Sequence, residues 1–153
     1  MEHGTIVREI HVAASPEVVF DVVSNPEHVT HWWPDEARYS PTPGAEGEIV
    51  FHQRGAEDHV VPFSVVEAHP PRLFSFRWTH AAGDAAAEGN SLLVTFELIP
   101  VGAETLLRMT ETGFREMGWQ AAVLEHTYHE HVTGWDYFLP RLAPYATTLA
   151  ARR

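Results

Sequence analysis

Cysteine is absent from the chain. Disulfides, thiolate catalysis and zinc sites with Cys ligands are therefore excluded. A cysteine-free composition suits a reducing compartment, and a cytoplasmic location is expected. Cations are scarce, with 10 Lys and Arg against 21 Asp and Glu and a formal net charge of −11. Nucleic acid and anionic membrane surfaces need clustered Lys and Arg, so neither is expected as a partner. No stretch approaches the roughly 18 apolar residues of a membrane span. Residues 1–8 hold no apolar run of signal-peptide length. No Ser sits in a G-x-S-x-G setting, and Gly44 and Gly47 mark a turn rather than a phosphate-binding loop. There is no internal repeat, linker or low-complexity tract.

What the chain does have is apolar material: 153 residues, 44% of them hydrophobic, with five Trp and eight Phe. That is the length of one ordinary domain, expected to span residues 1–153. At this size roughly two-thirds of the unfolded surface is buried on folding. The excess of large aromatics permits a pocket as well as a core.

Residues 121–149 organise the rest. On a helical wheel, Ala121, Leu124, Tyr128, His131, Val132, Trp135, Phe138, Leu139, Leu142, Ala146 and Leu149 fall within roughly 60° of Trp135. No Asp, Glu, Lys or Arg shares that arc. The stripe holds its phase for about eight turns, or about 43 Å. Pro140 and Pro144 each remove a helical hydrogen bond, but the phase continues past them, which predicts a kinked helix rather than a stop. Tyr128 and His131 place polar tips on the inner face, as satisfied core groups or as a cavity wall.

Before this helix, residues 5–12 alternate as a strand, with Ile6, Ile10 and Val12 on one face. Ser15-Pro16-Glu17 opens a short helix, and Asn25-Pro26-Glu27 opens a second that carries Val29, Trp32 and Trp33 up to Pro34. Six strands follow. Residues 59–69 form the longest of these, with Pro62 predicting an edge or a bulge near its start. Phe74, Phe76 and Trp78 line one face of the next. Short hairpin-like connections predict an antiparallel meander, curved so that its apolar face wraps the long helix.

The residues that match a known family are Ser15-Pro16-Glu17-Val18-Val19-Phe20, Trp32-Trp33-Pro34, Val66-Glu67 with Pro70-Pro71-Arg72-Leu73, Phe76-Arg77-Trp78, Val94-Thr95-Phe96-Glu97-Leu98, Glu111-Thr112-Gly113-Phe114 and Gly134-Trp135. In this order and spacing they resemble the activator of Hsp90 ATPase homologue family, within the START-like, birch-pollen-allergen-like superfamily that includes polyketide cyclases. The resemblance covers nearly the whole chain. It implies an α+β helix-grip fold: a curved seven-stranded antiparallel sheet around a long C-terminal helix, two short helices after strand 1, and a cavity between sheet and helix. Members bind varied apolar molecules or close rings. The eukaryotic co-chaperone carries a separate N-terminal domain that this chain has no room for.

Eleven His invite a metal hypothesis. His126 and His129 have i,i+3 spacing but face outward, while His131 faces inward, so three ligands cannot converge from this helix. No metal and no cofactor are expected. The expected cavity wall is Trp33, Phe51, Phe63, Phe76, Trp78, Phe96, Met109, Tyr128, His131 and Trp135. Glu111 shares a face with Leu107 and Met109 near a strand end, as a cavity-mouth group or a solvated one. The function expected is binding of a small apolar molecule. One alternative is a cyclase, dehydratase or hydrolase using Tyr128 and His131 as acid and base. The other is a chaperone-regulating module whose acidic surface meets a basic protein.

Overall fold

A computed structural model describes residues 4–153. Of the N-terminal stretch read for a leader, residues 1–3 lie outside the described residues. β1 spans Thr5–Val12, where Ile6 and Val12 are buried and Val7, Glu9 and His11 are exposed. α1 spans Pro16–Ser24, and the Ser15 hydroxyl accepts from the Val18 N–H at 3.4 Å. Asn25 ends α1 and starts α2, Pro26–Val29, accepting from the Glu27 N–H at 2.9 Å. α2 stops after one turn rather than running to Pro34. Trp32 and Trp33 continue as a turn whose N–H groups both bond the Val29 carbonyl, at 3.2 and 2.8 Å. Burial of both indoles sets this path, since a continued helix would have pointed them in directions about 100° apart.

β2 (Glu36–Arg38), β3 (Glu46–Phe51), β4 (His59–His69), β5 (Leu73–Trp78), β6 (Leu92–Val101) and β7 (Glu104–Thr112) follow. With β1 they form one seven-stranded antiparallel sheet in the order β1-β7-β6-β5-β4-β3-β2. β4 lies inside the sheet, but its pairing with β5 begins only at Phe63, so the end that carries Pro62, paired with Glu48 of β3 alone, is an edge as expected; a further irregularity falls between Val65 and Glu67 on the β5 side.

A short 3-10 turn, Arg115–Met117, leads into α3, Ala121–Ala151. Pro140 and Pro144 sit inside α3 without ending it. Pro140, Pro144 and Asp136 are exposed, so the carbonyls the prolines strand lie on the wet side of the helix, where water satisfies them. The buried face of α3 is Trp135, Leu139, Leu142 and Ala146. Farther toward the N-terminus the stripe loosens: Leu124, Tyr128, His131 and Val132 are half-buried and Ala121 is exposed. The sheet thus grips the second half of α3 closely and the first half loosely. This is a helix-grip fold. Among the described residues, no helix is long and apolar enough to cross a membrane.

Candidate functional site

Thr105, Leu107, Met109 and Glu111 form the inward row of β7, and all four are buried. Glu111 is 0% exposed, neither at a mouth nor solvated. Its Oε2 accepts from Trp78 Nε1 at 2.8 Å and its Oε1 from Trp135 Nε1 at 2.8 Å. His131 Nδ1 lies 2.9 and 3.0 Å from the two oxygens. Three N–H groups from β5 and α3 therefore replace the water that a buried carboxylate gives up. An ionised carboxylate only accepts, so the His131 proton on this side stands on Nδ1. Nε2, on the opposite side of the ring, makes no hydrogen bond to a described residue. The pairing of a carboxylate with one imidazole nitrogen, leaving the other available, is the arrangement that orients a histidine for chemistry.

His131 is also part of a cleft of about 230 Å³ between the sheet and α3. Trp33 forms its floor, with ring centroids 5.1 Å from Trp78, 5.1 Å from Trp135 and 6.2 Å from Phe51. Phe138 closes one side at 6.1 Å from Phe51. His59, Val61, Thr79, Glu130 and Gly134 complete the wall. Thr79 follows β5 with φ 67, the left-handed region that a β-branched residue rarely adopts. Its hydroxyl oxygen is buried and has no hydrogen-bond partner among the described residues.

Residues 13–147 match the family described as activator of Hsp90 ATPase homolog 1-like protein. The chain belongs to that family. No curated protein matches it in sequence. Protein MLL2253 from Mesorhizobium loti is 23% identical with a TM-score of 0.74, over 94% of this chain and 97% of its own. Protein NE0264 from Nitrosomonas europaea is 14% identical with a TM-score of 0.79, over 99% of both chains. A protein described as an Aha1 dimer from Colwellia psychrerythraea is 20% identical with a TM-score of 0.65, over 91% of this chain and 92% of its own. At these identities the likeness is one of fold.

In this member of the activator of Hsp90 ATPase homolog 1-like family, the cleft collects five of the ten residues expected at a cavity wall: Trp33, Phe51, Trp78, His131 and Trp135. Phe63, Phe76, Phe96 and Met109 lie deeper, all at most 1% exposed, because the sheet curls tightly enough to pack them as core. Phe63 stacks on Phe76 at 4.2 Å, and Phe96 meets the edge of Trp32 at 6.2 Å. Tyr128 sits one turn before His131 but over β1: its hydroxyl donates to the Thr5 carbonyl at 2.9 Å and its ring meets Phe114. The two are not brought together as an acid and a base. Trp135, the centre of the helical stripe, is buried against three strands. It is 2% exposed and reaches Trp78 of β5, Phe96 of β6 and Glu111 of β7.

Thr79, Gly134 and Phe138 were not anticipated at the cleft. Gly134 admits no close backbone neighbour: a Cβ there would meet nothing within 4 Å. Elsewhere, Glu36, His52 and Asp58 place one ligand atom each within 4.8 Å of the others. Glu36 already bonds His52 and Arg38 there, as an exposed charge network.

Proposed function

We propose that this protein binds a small, largely aromatic molecule in the cleft between the sheet and α3. The observation that carries the reading is a ring-lined cleft that His131 also lines, its Nδ1 on Glu111 and its Nε2 without a hydrogen bond to a described residue. Ligand sites combine apolar walls with a few placed polar groups in this way. At about 230 Å³ the space is smaller than the roughly 300–1,000 Å³ typical of drug-sized ligands, which favours a compact guest. Membership of the activator of Hsp90 ATPase homolog 1-like family is consistent with the same reading, since the resemblance implies a cavity between sheet and helix. Thermal-shift and calorimetric screening of small aromatics against the wild type and Gly134→Leu tests it. Binding that Gly134→Leu abolishes is the expected result, because the new side chain projects into empty space. A screen with no binder among mono- and bicyclic aromatics defeats the proposal.

The Glu111–His131 pair supports a second reading, in which His131 removes a proton from a bound carbonyl compound. Enolisation of a bound ketone, followed by solvent deuterium exchange and lost in His131→Phe, is the outcome that would establish it.

A further inference from the structure

Among the α3 residues of the cleft wall, Gly134 is the one that helix propensity argues against. A glycine inside an element is ordinarily explained by a left-handed backbone or by a neighbour too close for a Cβ. Gly134 has neither reason. It lies mid-helix, and a Cβ there would meet nothing within 4 Å. What this glycine provides is the space itself. Glu130, Gly134 and Phe138 stand four residues apart, so they form one row along the flank of α3. That row borders two spaces. On its inner side is the cleft, and on its outer side is a groove over His126, Thr133 and Tyr137.

Phe138 closes the row against Phe51, with ring centroids 6.1 Å apart. One turn earlier the row carries no side chain, so cleft and groove meet through a notch at Gly134. Beyond the notch the groove has an apolar floor. Tyr137 is 63% exposed, and its ring stands 4.9 Å from that of Phe138. Arg141, a turn further along, holds the two rings at 5.6 and 5.8 Å. We propose that the cleft takes an arene carrying a short apolar chain, its ring beside Trp33, Trp78 and Trp135 and its chain led out through the notch onto Tyr137 and Phe138. This rests on the cleft-binding reading given above and adds the shape of the guest. At about 230 Å³ the cleft has room for a ring and little more. From Gly134 to Phe138 is one turn, about 5.4 Å, which a chain of about four carbons covers. A chain lying there removes its own apolar surface and that of the Tyr137 ring from water, so it tightens binding.

Methoxy-, ethoxy-, propoxy- and butoxybenzene, titrated into the full chain with the fluorescence of the cleft tryptophans as readout, separate the two claims. All four are uncharged and share one ring, so only the chain varies. In the wild type each added methylene is expected to tighten binding about two- to fourfold, the upper figure being full burial. Gly134→Val, shorter than the leucine above, fills the notch. It should bind methoxybenzene as the wild type does and lose the gain along the series. Tyr137→Ala removes the floor of the groove from outside the cleft. It should likewise leave methoxybenzene unchanged and cut the gain per methylene to less than half. If valine also disturbs methoxybenzene, Tyr137→Ala decides alone. A wild-type affinity that does not rise along the series, or a rise that Tyr137→Ala leaves intact, overturns the notch assignment and leaves the cleft reading standing. No binding of any of the four overturns both.

Discussion

At the scale of single residues, the molecule keeps a carboxylate at 0% exposure with no Arg or Lys among its hydrogen-bond partners. Its tolerance depends on every neighbour donating. Glu111→Gln replaces an acceptor by an NH₂ that must face Trp78, Trp135 or His131, and urea melts should record a loss of about 1–3 kcal/mol. Trp135→Ala should cost about 3–5 kcal/mol, since it opens a cavity and strips Oε1 of a donor. Asp136→Ala, next to it, removes only the surface pair with Arg8 at 2.7 Å and should cost less than about 1 kcal/mol. If the two neighbours melt alike, the inner face of α3 is not the core face. Much of this was legible: alternation on β7 put Glu111 in line with Leu107 and Met109, and inward Trp78 and Trp135 each needed an acceptor for the indole N–H. What the pattern could not reveal is that these needs converge on one carboxylate, because the three elements are distant in the chain.

His80 shows the opposite case. It is 8% exposed and its Nδ1 has no partner. Burial lowers its pKa, outweighing the upward pull of Glu46 and Asp84. The unfolded chain therefore takes up this proton first, near about pH 6.5, and the folded protein only lower. The stability His80 contributes is complete above the unfolded value and is lost as the pH falls through the folded one. Urea midpoints taken from about pH 8 down to about pH 5 should fall more steeply in the wild type than in His80→Leu. Parallel acid limbs would show that His80 is not the group responsible.

At the scale of elements, α3 carries the clearest test. Gly134 costs helix stability without admitting a neighbour, since a Cβ would meet open space at the cleft. Gly134→Ala should raise stability by about 1 kcal/mol, the difference in helix propensity, and a lower urea midpoint would contradict that. The bounds of β1 and β4 were legible to the residue, because flanking turn residues fix both ends, but only β1 alternates cleanly enough to fix its faces, since β4 carries apolar residues on both. α2 was not. Its i,i+3 and i,i+4 apolar spacing through Trp33 fits a helix as well as a turn, and only tertiary burial of two adjacent indoles decides between them. The loose first half of α3 escaped for a similar reason: a wheel reports which face is apolar, not how far the sheet reaches along it.

At the scale of the whole molecule, the order β1-β7-β6-β5-β4-β3-β2 has a consequence in time. Neighbouring strands β3 to β7 are each joined by a local connection and can pair as soon as they exist. β1 cannot. Thr5 pairs with Thr112 and Val12 with Thr105, so among the described residues the first strand finds its only partner in the last. During synthesis at about 5–20 residues per second, β1 waits several seconds with its apolar face unsatisfied, and its docking must close a loop of roughly a hundred residues. Refolding should therefore show amide protection in β4 to β6 before β1, by pulsed hydrogen exchange, and simultaneous protection of all strands would contradict it. A ribosome-bound chain arrested just short of β7 should expose Ile6, Ile10 and Val12 to chaperones. The last strand to emerge is thus the one that retires the first.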